Sequence, residues 1–254
     1  MYTLLNFMSH NTIKKYFFEH GFVVVKNVLS KKKIAEIFID LEEIKKSALK
    51  RSKQFYHLSS NGKFNSIHNI NSFRKKGAII EICKNSKITK IVEKIFDEKV
   101  AMRNIEFFLK PKKKGLKAPF HQDNFYWNIK ESKALNVWIA CSPASKKNGG
   151  LCYLKGSHIL GTINHEMSFM KGSSQKISDN IMNNLSFKKV FPTMSAGDVL
   201  FHHCEIIHGS SKNTSNQDRV GLAISFKTKS AKLNKEKLIG YKQKLKKSLN
   251  KIYK

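Results

Sequence analysis

Acidic residues are scarce in this chain of 254 residues: 18 Asp and Glu stand against 48 Lys and Arg, a formal net charge of +30. Such an excess raises nucleic acid, membrane surfaces and anionic small molecules as partners. Arginine is scarcer still, confined to Arg51, Arg74, Arg103 and Arg219. Specific readout of phosphates or base edges favours the guanidinium fork. A chain that carries its charge on lysines spread along its whole length therefore gives no sign of a specific nucleic-acid partner. Asn and Ile are abundant beside Lys, so a compositional bias of the genome explains the charge equally well.

The four cysteines, Cys83, Cys141, Cys152 and Cys204, form no CxxC pair. That leaves no disulfide or zinc framework and points to a reduced, cytoplasmic setting with the thiols buried. The N-terminal MYTLLNFMSHNTIKKYFF lacks the basic leader and cleavage site of a signal peptide. No run of about 18 apolar residues is present, so no transmembrane segment is expected.

What is there suffices for a sizeable core, with 41% hydrophobic and 11% aromatic residues. We expect one domain over 1–254. Its parts are an N-terminal helical and strand region (1–97), a β-rich core (98–228) and a basic C-terminal helix (229–254). A helix is expected over 11–20, capped by Asn11 or Thr12 and ended at Gly21, followed by a strand over 22–28. Ser30 caps a helix over 31–49, in which Ile34, Ile37, Leu41 and Ile44 repeat at spacings of three and four. Residues 51–76 read as a long polar loop with short structured pieces, and 86–97 as a further helix. From 99 onward the pattern changes to short strands: 99–111, 119–127, 134–143, 151–156, 188–194, 198–209 and 219–227. The turns NGG, SAGD and NTSNQD punctuate them. Many short strands at such intervals indicate an antiparallel sandwich or jelly roll.

The chemistry centres on HQDNFYW, residues 121–127. On a strand, His121 and Asp123 face the same side, so an imidazole and a carboxylate meet in one space. Five histidines follow: His158, His165, His202, His203 and His208. The HGS at 208–210, with Arg219 eleven residues after His208, is the most informative context. A hairpin between the two strands would bring His208 and Arg219 into one pocket. His202 or His203 competes with His208 as the third ligand. Two histidines and one carboxylate on one face of an octahedron form the facial triad of non-haem Fe(II) oxygenases. A 2-oxoacid can chelate through two of the open positions, leaving one for O2. Arginine then binds the far carboxylate of 2-oxoglutarate bidentately.

These blocks resemble the phytanoyl-CoA dioxygenase family of Fe(II)/2-oxoglutarate oxygenases. The likeness runs through EHGFVVVKNVLSKKKI (19–34), HQDNFYW, ALNVWIACSPASKKNGGLCYLKGSHILG (134–161), SAGDVLFHHCEIIHGSS (195–211) and RVGLAISF (219–226). The resemblance implies a mainly β fold with flanking helices, a double-stranded β-helix of the jelly-roll, cupin-like kind. It implies Fe(II) held by His121, Asp123 and His208, and 2-oxoglutarate anchored by Arg219 with Ser210 beside it. Trp138 stands near the cosubstrate, and Asn104 and Glu106 form another wall. Tyr126 and Trp127 line the substrate side or pack as core aromatics. His158 and the NGG and SAGD turns are read as structural.

The reaction implied is oxidative decarboxylation of 2-oxoglutarate to succinate and CO2, coupled through O2 to hydroxylation of a substrate C–H bond. Family members that halogenate lack the carboxylate ligand, so Asp123 favours hydroxylation. The resemblance leaves the small-molecule substrate open, including acyl-CoA thioesters, amino acids and carrier-bound groups. The lysine-rich KPKKKGLK (110–117) suits an anionic or carrier-linked substrate, or is an ordinary solvated loop. Two competing readings are a catalytically silent basic binding protein on the same fold and a cupin-type metal enzyme that does not use 2-oxoglutarate. In the C-terminal segment, Leu238, Tyr241, Leu245, Leu249 and Ile252 fall on one helical face. Packing onto the chain's own domain is favoured over binding an anionic membrane or acidic partner.

Overall fold

In a computed structural model, which describes residues 9–241 and 243 apart from 85, 171 and 172, the first helix is α1 (His10–His20). Ser9, rather than Asn11 or Thr12, caps it by accepting from the Thr12 N–H, and Gly21 closes it in the left-handed conformation. Strand β1 (Phe22–Val25) leads to α2 (Lys31–Leu49), where Ser30 accepts from the Lys33 N–H as the sequence predicts.

The polar stretch 51–76 is more ordered than a loop. Its β2 (Tyr56–Leu58) and β3 (Phe64–Ile67) form a hairpin, followed by α3 (Ile70–Phe73) and α4 (Ala78–Cys83). Helix α5 (Lys87–Phe96) precedes β4 (Val100–Lys110) and β5 (Ala118–His121). The expected strand 119–127 stops early: after His121 the chain turns into α6 (Asp123–Trp127). There follow β6 (Ala134–Ala140), β7 (Leu151–Leu154), β8 (Glu166–Met170), β9 (Ser173–Lys176) and α7 (Asp179–Asn183). The remaining strands are β10 (Lys189–Val190), β11 (Val199–His203), β12 (His208–Ser210) and β13 (Arg219–Thr228). The expected strand 198–209 is thus two strands, split by a turn at 204–207.

A seven-stranded sheet has the order β1-β11-β6-β13-β4-β3-β2, and a four-stranded sheet the order β10-β7-β12-β5. The strand pairings are antiparallel, and β12 and β13 lie in different sheets. The expected hairpin between His208 and Arg219 is therefore absent; the connecting loop crosses from one sheet to the other.

The central strands of the larger sheet, β11, β6 and β13, are buried on both faces. Val137, Ile139, Phe201, Leu222, Ile224 and Phe226 join one buried cluster with the apolar faces of α1, α2, α4 and α5. Each such side chain contributes roughly 1.5–3 kcal/mol by leaving water. On the opposite face Trp138, Ala140, Leu200 and Ala223 meet Tyr153 and Val190 of the smaller sheet. This double burial explains why β6 and β13 read as near-continuous apolar runs. The polar residues that interrupt the inner surface, Asn136, His202 and Arg219, are the ones that need a chemical explanation.

Candidate metal and anion site

His121 and His208 face each other across the β5–β12 ladder, with ring centroids 4.4 Å apart. Directly opposed residues on an antiparallel pair share a face. Each imidazole binds a backbone carbonyl through Nδ1: His121 to Pro119 O at 2.8 Å, His208 to Ile206 O at 3.1 Å. A carbonyl only accepts, so Nδ1 carries the proton and Nε2 presents its lone pair. The two Nε2 atoms lie 3.7 and 3.8 Å from Asp123 Oδ1. The ligand atoms of His121, Asp123 and His208 all fall within 4.8 Å of one another, a group able to hold a metal ion.

Asp123 reaches this point by a route the strand periodicity does not predict. The break after His121 is held by Gln122 and Asn124, the two residues interleaved with the ligands. Gln122 is fully buried; its Nε2 donates to Gly161 O at 2.7 Å and Glu205 O at 2.6 Å, while its Oε1 accepts from Ile163 N. Its backbone N–H donates to His165 Nε2 at 2.9 Å. The Asn124 amide accepts from Ile129 N and donates to Ile129 O, closing the short helix. His165 is thus a support for the ligand loop.

The second oxygen of Asp123 is tied down. Asn136 Nδ2 donates to Oδ2 at 3.0 Å and His202 Nε2 lies 3.1 Å from it. Because a carboxylate accepts, Nε2 of His202 carries the proton, and Nδ1 accepts from the Tyr153 hydroxyl at 2.8 Å. His202 and His203 are separated by the pleat of β11. His202 turns inward onto Asp123, whereas His203 turns outward, 5.8 Å from the Phe17 ring and 5.0 Å from His158. His158 donates to or accepts at no ligand of the triad; its Nε2 binds Phe18 O at 2.9 Å.

Burial pushes the His121 and His208 imidazoles down to about 4, keeping both neutral and able to coordinate. Burial works against the charge on Asp123, but the surrounding imidazoles, His208 first, and the His202 hydrogen bond outweigh it. They hold the carboxyl well below its usual range.

A second cluster lies where β13 begins. Arg219 is directly opposite Lys110 in the β4–β13 ladder. Both are buried, at 1% and 5% exposure, and neither has an acidic partner among the described residues. A buried guanidinium next to a buried amine, with no acidic counter-charge, is costly, and a bound anion would offset that cost. Arg219 donates to Phe108 O at 3.1 Å and Gly149 O at 2.9 Å, and its Nε has no partner. Lys110 donates to Ser210 Oγ at 2.7 Å and to Ser211 O. Burial and then Arg219 push the Lys110 ammonium down to about 6; burial pushes Arg219 to about 9.

Two glycines make room for this arrangement. A Cβ on Gly149 (φ +80) would meet Lys110 Cδ at 2.6 Å, and one on Gly221 would meet the Trp138 ring at 2.1 Å. The Arg219 guanidinium lies 5.3 Å from that ring. Lys110 escaped the sequence reading because it sits in a lysine-rich stretch; the one available signal was its place at the last turn-free strand position before that loop.

The other expected site residues are less tightly drawn in. Asn104 is half-buried, opposite Ser225, and its Oδ1 accepts from Ile105 N at 2.9 Å. Glu106 is engaged by His68 at 2.7 Å. Tyr126 sets its ring edge-on to His121 at 5.9 Å and donates to Gln175 O. Trp127 lies under the Arg103 guanidinium at 4.7 Å.

The chain is similar to known proteins over most of its length. The family model described as phytanoyl-CoA dioxygenase (PhyH) matches residues 17–221. Human peroxisomal phytanoyl-CoA dioxygenase is 26% identical over 241 residues, covering 89% of this chain and 70% of that protein. Ectoine dioxygenase of Bordetella bronchiseptica is 21% identical over 234 residues, covering 85% and 75%. Among solved structures, EctD from S. alaskensis with bound Fe superposes with a TM-score of 0.72 at 17% identity, covering 89% of this chain and 79% of that one. The epimerase SnoN in complex with Fe3+, alpha ketoglutarate and nogalamycin RO gives 0.70 at 18%, covering 87% and 84%. These likenesses place the fold among the cupin-like oxygenases. With a family model spanning Phe17 to Gly221 over that fold, the chain belongs to the phytanoyl-CoA dioxygenase family.

Proposed function

We propose that this protein is an Fe(II)- and 2-oxoglutarate-dependent hydroxylase, with residues 98–228 as its catalytic core. His121, Asp123 and His208 hold the iron. Arg219 holds the distal carboxylate of 2-oxoglutarate, with Ser210 and Lys110 beside it. The observation that carries this reading is a convergent His/Asp/His group together with buried Arg219 and Lys110 side chains that have no acidic partner among the described residues.

The residues present fit both groups. Two neutral imidazoles and a carboxylate suit a divalent iron, and the orphaned Arg219 Nε awaits an acceptor. Bound iron would supply oxygen activation and the oxidation of 2-oxoglutarate to succinate and CO2. The protein's own part is orientation. The backbone carbonyls of Pro119 and Ile206 fix the histidine tautomers, and Asn136 with His202 fixes the carboxylate. Trp138 walls the cosubstrate and excludes water from the cation pair. Asn104 forms a further wall of the cosubstrate site, and Tyr126 and Trp127 line the side that receives the substrate, a small or carrier-linked molecule.

Among the described residues no helix is long and apolar enough to cross a membrane. The four cysteines are free and buried, which supports the cytoplasmic reading.

The test is iron binding and 2-oxoglutarate turnover by purified protein. One Fe(II) per chain and slow succinate release without substrate are expected, both abolished by His121→Ala or Asp123→Ala. Full activity in either variant would refute the ligand assignment. A screen for succinate release with a mass gain of one oxygen then identifies the substrate.

A further inference from the structure

Of the four arginines, three have evident occupations. Arg74 pairs with Asp40 and Glu43, both at 2.5 Å. Arg51 lies exposed over the Phe55 and Phe73 rings. Arg219 belongs to the cation pair. Arg103 is different: beyond its stack on Trp127 it makes no hydrogen bond or ion pair to any described residue, although it is half-buried and within electrostatic range of Asp123.

Its position follows from an irregularity in β4. Ser225 pairs with Asn104 but Phe226 pairs with Met102, so Arg103 is the extra residue of a β-bulge. Bulges re-aim a side chain. Met102 packs on the outer core beside the helices, while the Arg103 guanidinium turns to the Trp127 ring, 4.7 Å away. Trp127 ends the helix that Asp123 begins. Four residues, about 6 Å of helical rise, therefore separate the metal ligand from the residue that supports the guanidinium.

We propose that the primary substrate carries an oxyanion, a carboxylate or phosphate, which Arg103 binds beside the iron while its guanidinium rests on Trp127. The proposal builds on the hydroxylase reading and adds the class of substrate. Stacking on an aromatic face holds the guanidinium plane without consuming its N–H donors. Those donors, partly removed from water, lack an acceptor. Glu106, the nearest candidate along the strand, is taken by His68. Asp123 is within electrostatic range but makes no ion pair with Arg103, and its oxygens serve the metal group, Asn136 and His202. Arg51 shows what a merely structural stack looks like here: exposed, at the surface, away from any ligand group. Arg103 differs in burial and in facing Asp123. A substrate oxyanion completes the fork and places its neighbouring carbons near the iron.

The test uses Fe(II)-loaded protein saturated with 2-oxoglutarate under anaerobic conditions, so that the Arg219 end is already filled. Hexanoate, hexyl phosphate and hexanamide are titrated while tryptophan emission is followed. One or both anions are expected to shift the emission, and the amide is not. The tighter of the two identifies the carboxylate or phosphate source. Arg103→Gln should weaken anion binding about tenfold or more, with Arg103→Lys in between. Equal binding of the amide, undiminished binding by Arg103→Gln, or no response to either anion overturns the proposal. So does a parallel loss of 2-oxoglutarate affinity in Arg103→Gln, which would signify general damage. If wild-type protein holds neither iron nor 2-oxoglutarate, the hydroxylase reading fails, and the same titrations on metal-free protein still decide the role of Arg103.

Discussion

His202 Nε2 lies 3.1 Å from Asp123 Oδ2, on the opposite side of the carboxylate from the oxygen that faces His121 and His208. One carboxylate thus divides its two oxygens between the metal group and a Tyr153–His202 support. Removing that support leaves the ligands in place but frees Asp123 to rotate. His202→Ala is expected to bind iron about 10–100-fold more weakly while keeping the fold. Unchanged iron affinity by competition with a chelator would show that Asn136 alone positions the carboxylate.

The buried histidines make stability depend on pH. Burial holds His121, His208 and His165 down at about 4 and His203 at about 3, against 6.5 when exposed. Between these values the unfolded chain binds more protons than the folded one, so stability is complete above about pH 6.5 and is lost as pH falls toward 4. Asp123, whose carboxyl is also held down, adds to the loss at the acid end. The melting temperature of metal-free protein should therefore fall steadily from pH 7 to pH 4. A flat profile over that range would show that these imidazoles are not buried neutral groups.

Lys110 predicts a proton uptake. Its ammonium is pushed down to about 6 in the free protein, burial being the larger cause and Arg219 the next. A bound dicarboxylate favours the charged form and raises that value. Between about pH 6.5 and 8, 2-oxoglutarate binding should take up a fraction of a proton and weaken as pH rises. Calorimetry in two buffers of different ionisation enthalpy measures this directly, and Lys110→Met should abolish it. Arg219→Lys, which keeps charge but loses the fork, should lower 2-oxoglutarate affinity without affecting iron retention.

The segment after β13 is docked rather than free as far as it is described. Lys130 N donates to Lys232 O and Asn234 N to Asn128 O, at 2.8 and 2.7 Å. Tyr241 packs edge-on against Phe125 and Tyr126, each at 5.9 Å. Leu245, Leu249 and Ile252 of the expected apolar stripe lie outside the described residues. Truncation after Lys229 should lower the melting temperature and leave anionic vesicles unbound, as for the whole chain. Salt-sensitive vesicle binding that vanishes on truncation, at an unchanged melting temperature, would favour a membrane role.

Local patterns in the sequence determined the elements whose causes are local. Ser30 and the spacing of Ile34, Ile37, Leu41 and Ile44 suffice for α2, because a cap and a period of 3.6 act within a few residues. The order of HxD, HGS and Arg identified the ligand types and the family. Strand periodicity misread the motif itself: it called 119–127 one strand, yet the convergence of His121 and Asp123 depends on a break that Gln122 and Asn124 secure through partners 38 to 83 residues away. It likewise ran 198–209 together, whereas the turn at 204–207 carries the chain from one sheet to the other. Adjacent residues His202 and His203 are chemically alike in the sequence; only the register of β11 against β6 and β1 decides that the first meets Asp123 and the second the helices. Lys110 and Arg219 are 109 positions apart, and nothing in either local pattern announces their pairing. Those decisions belong to the tertiary structure because strand register and sheet membership are set by which apolar faces can be buried together, a property of the assembled layers rather than of any one segment.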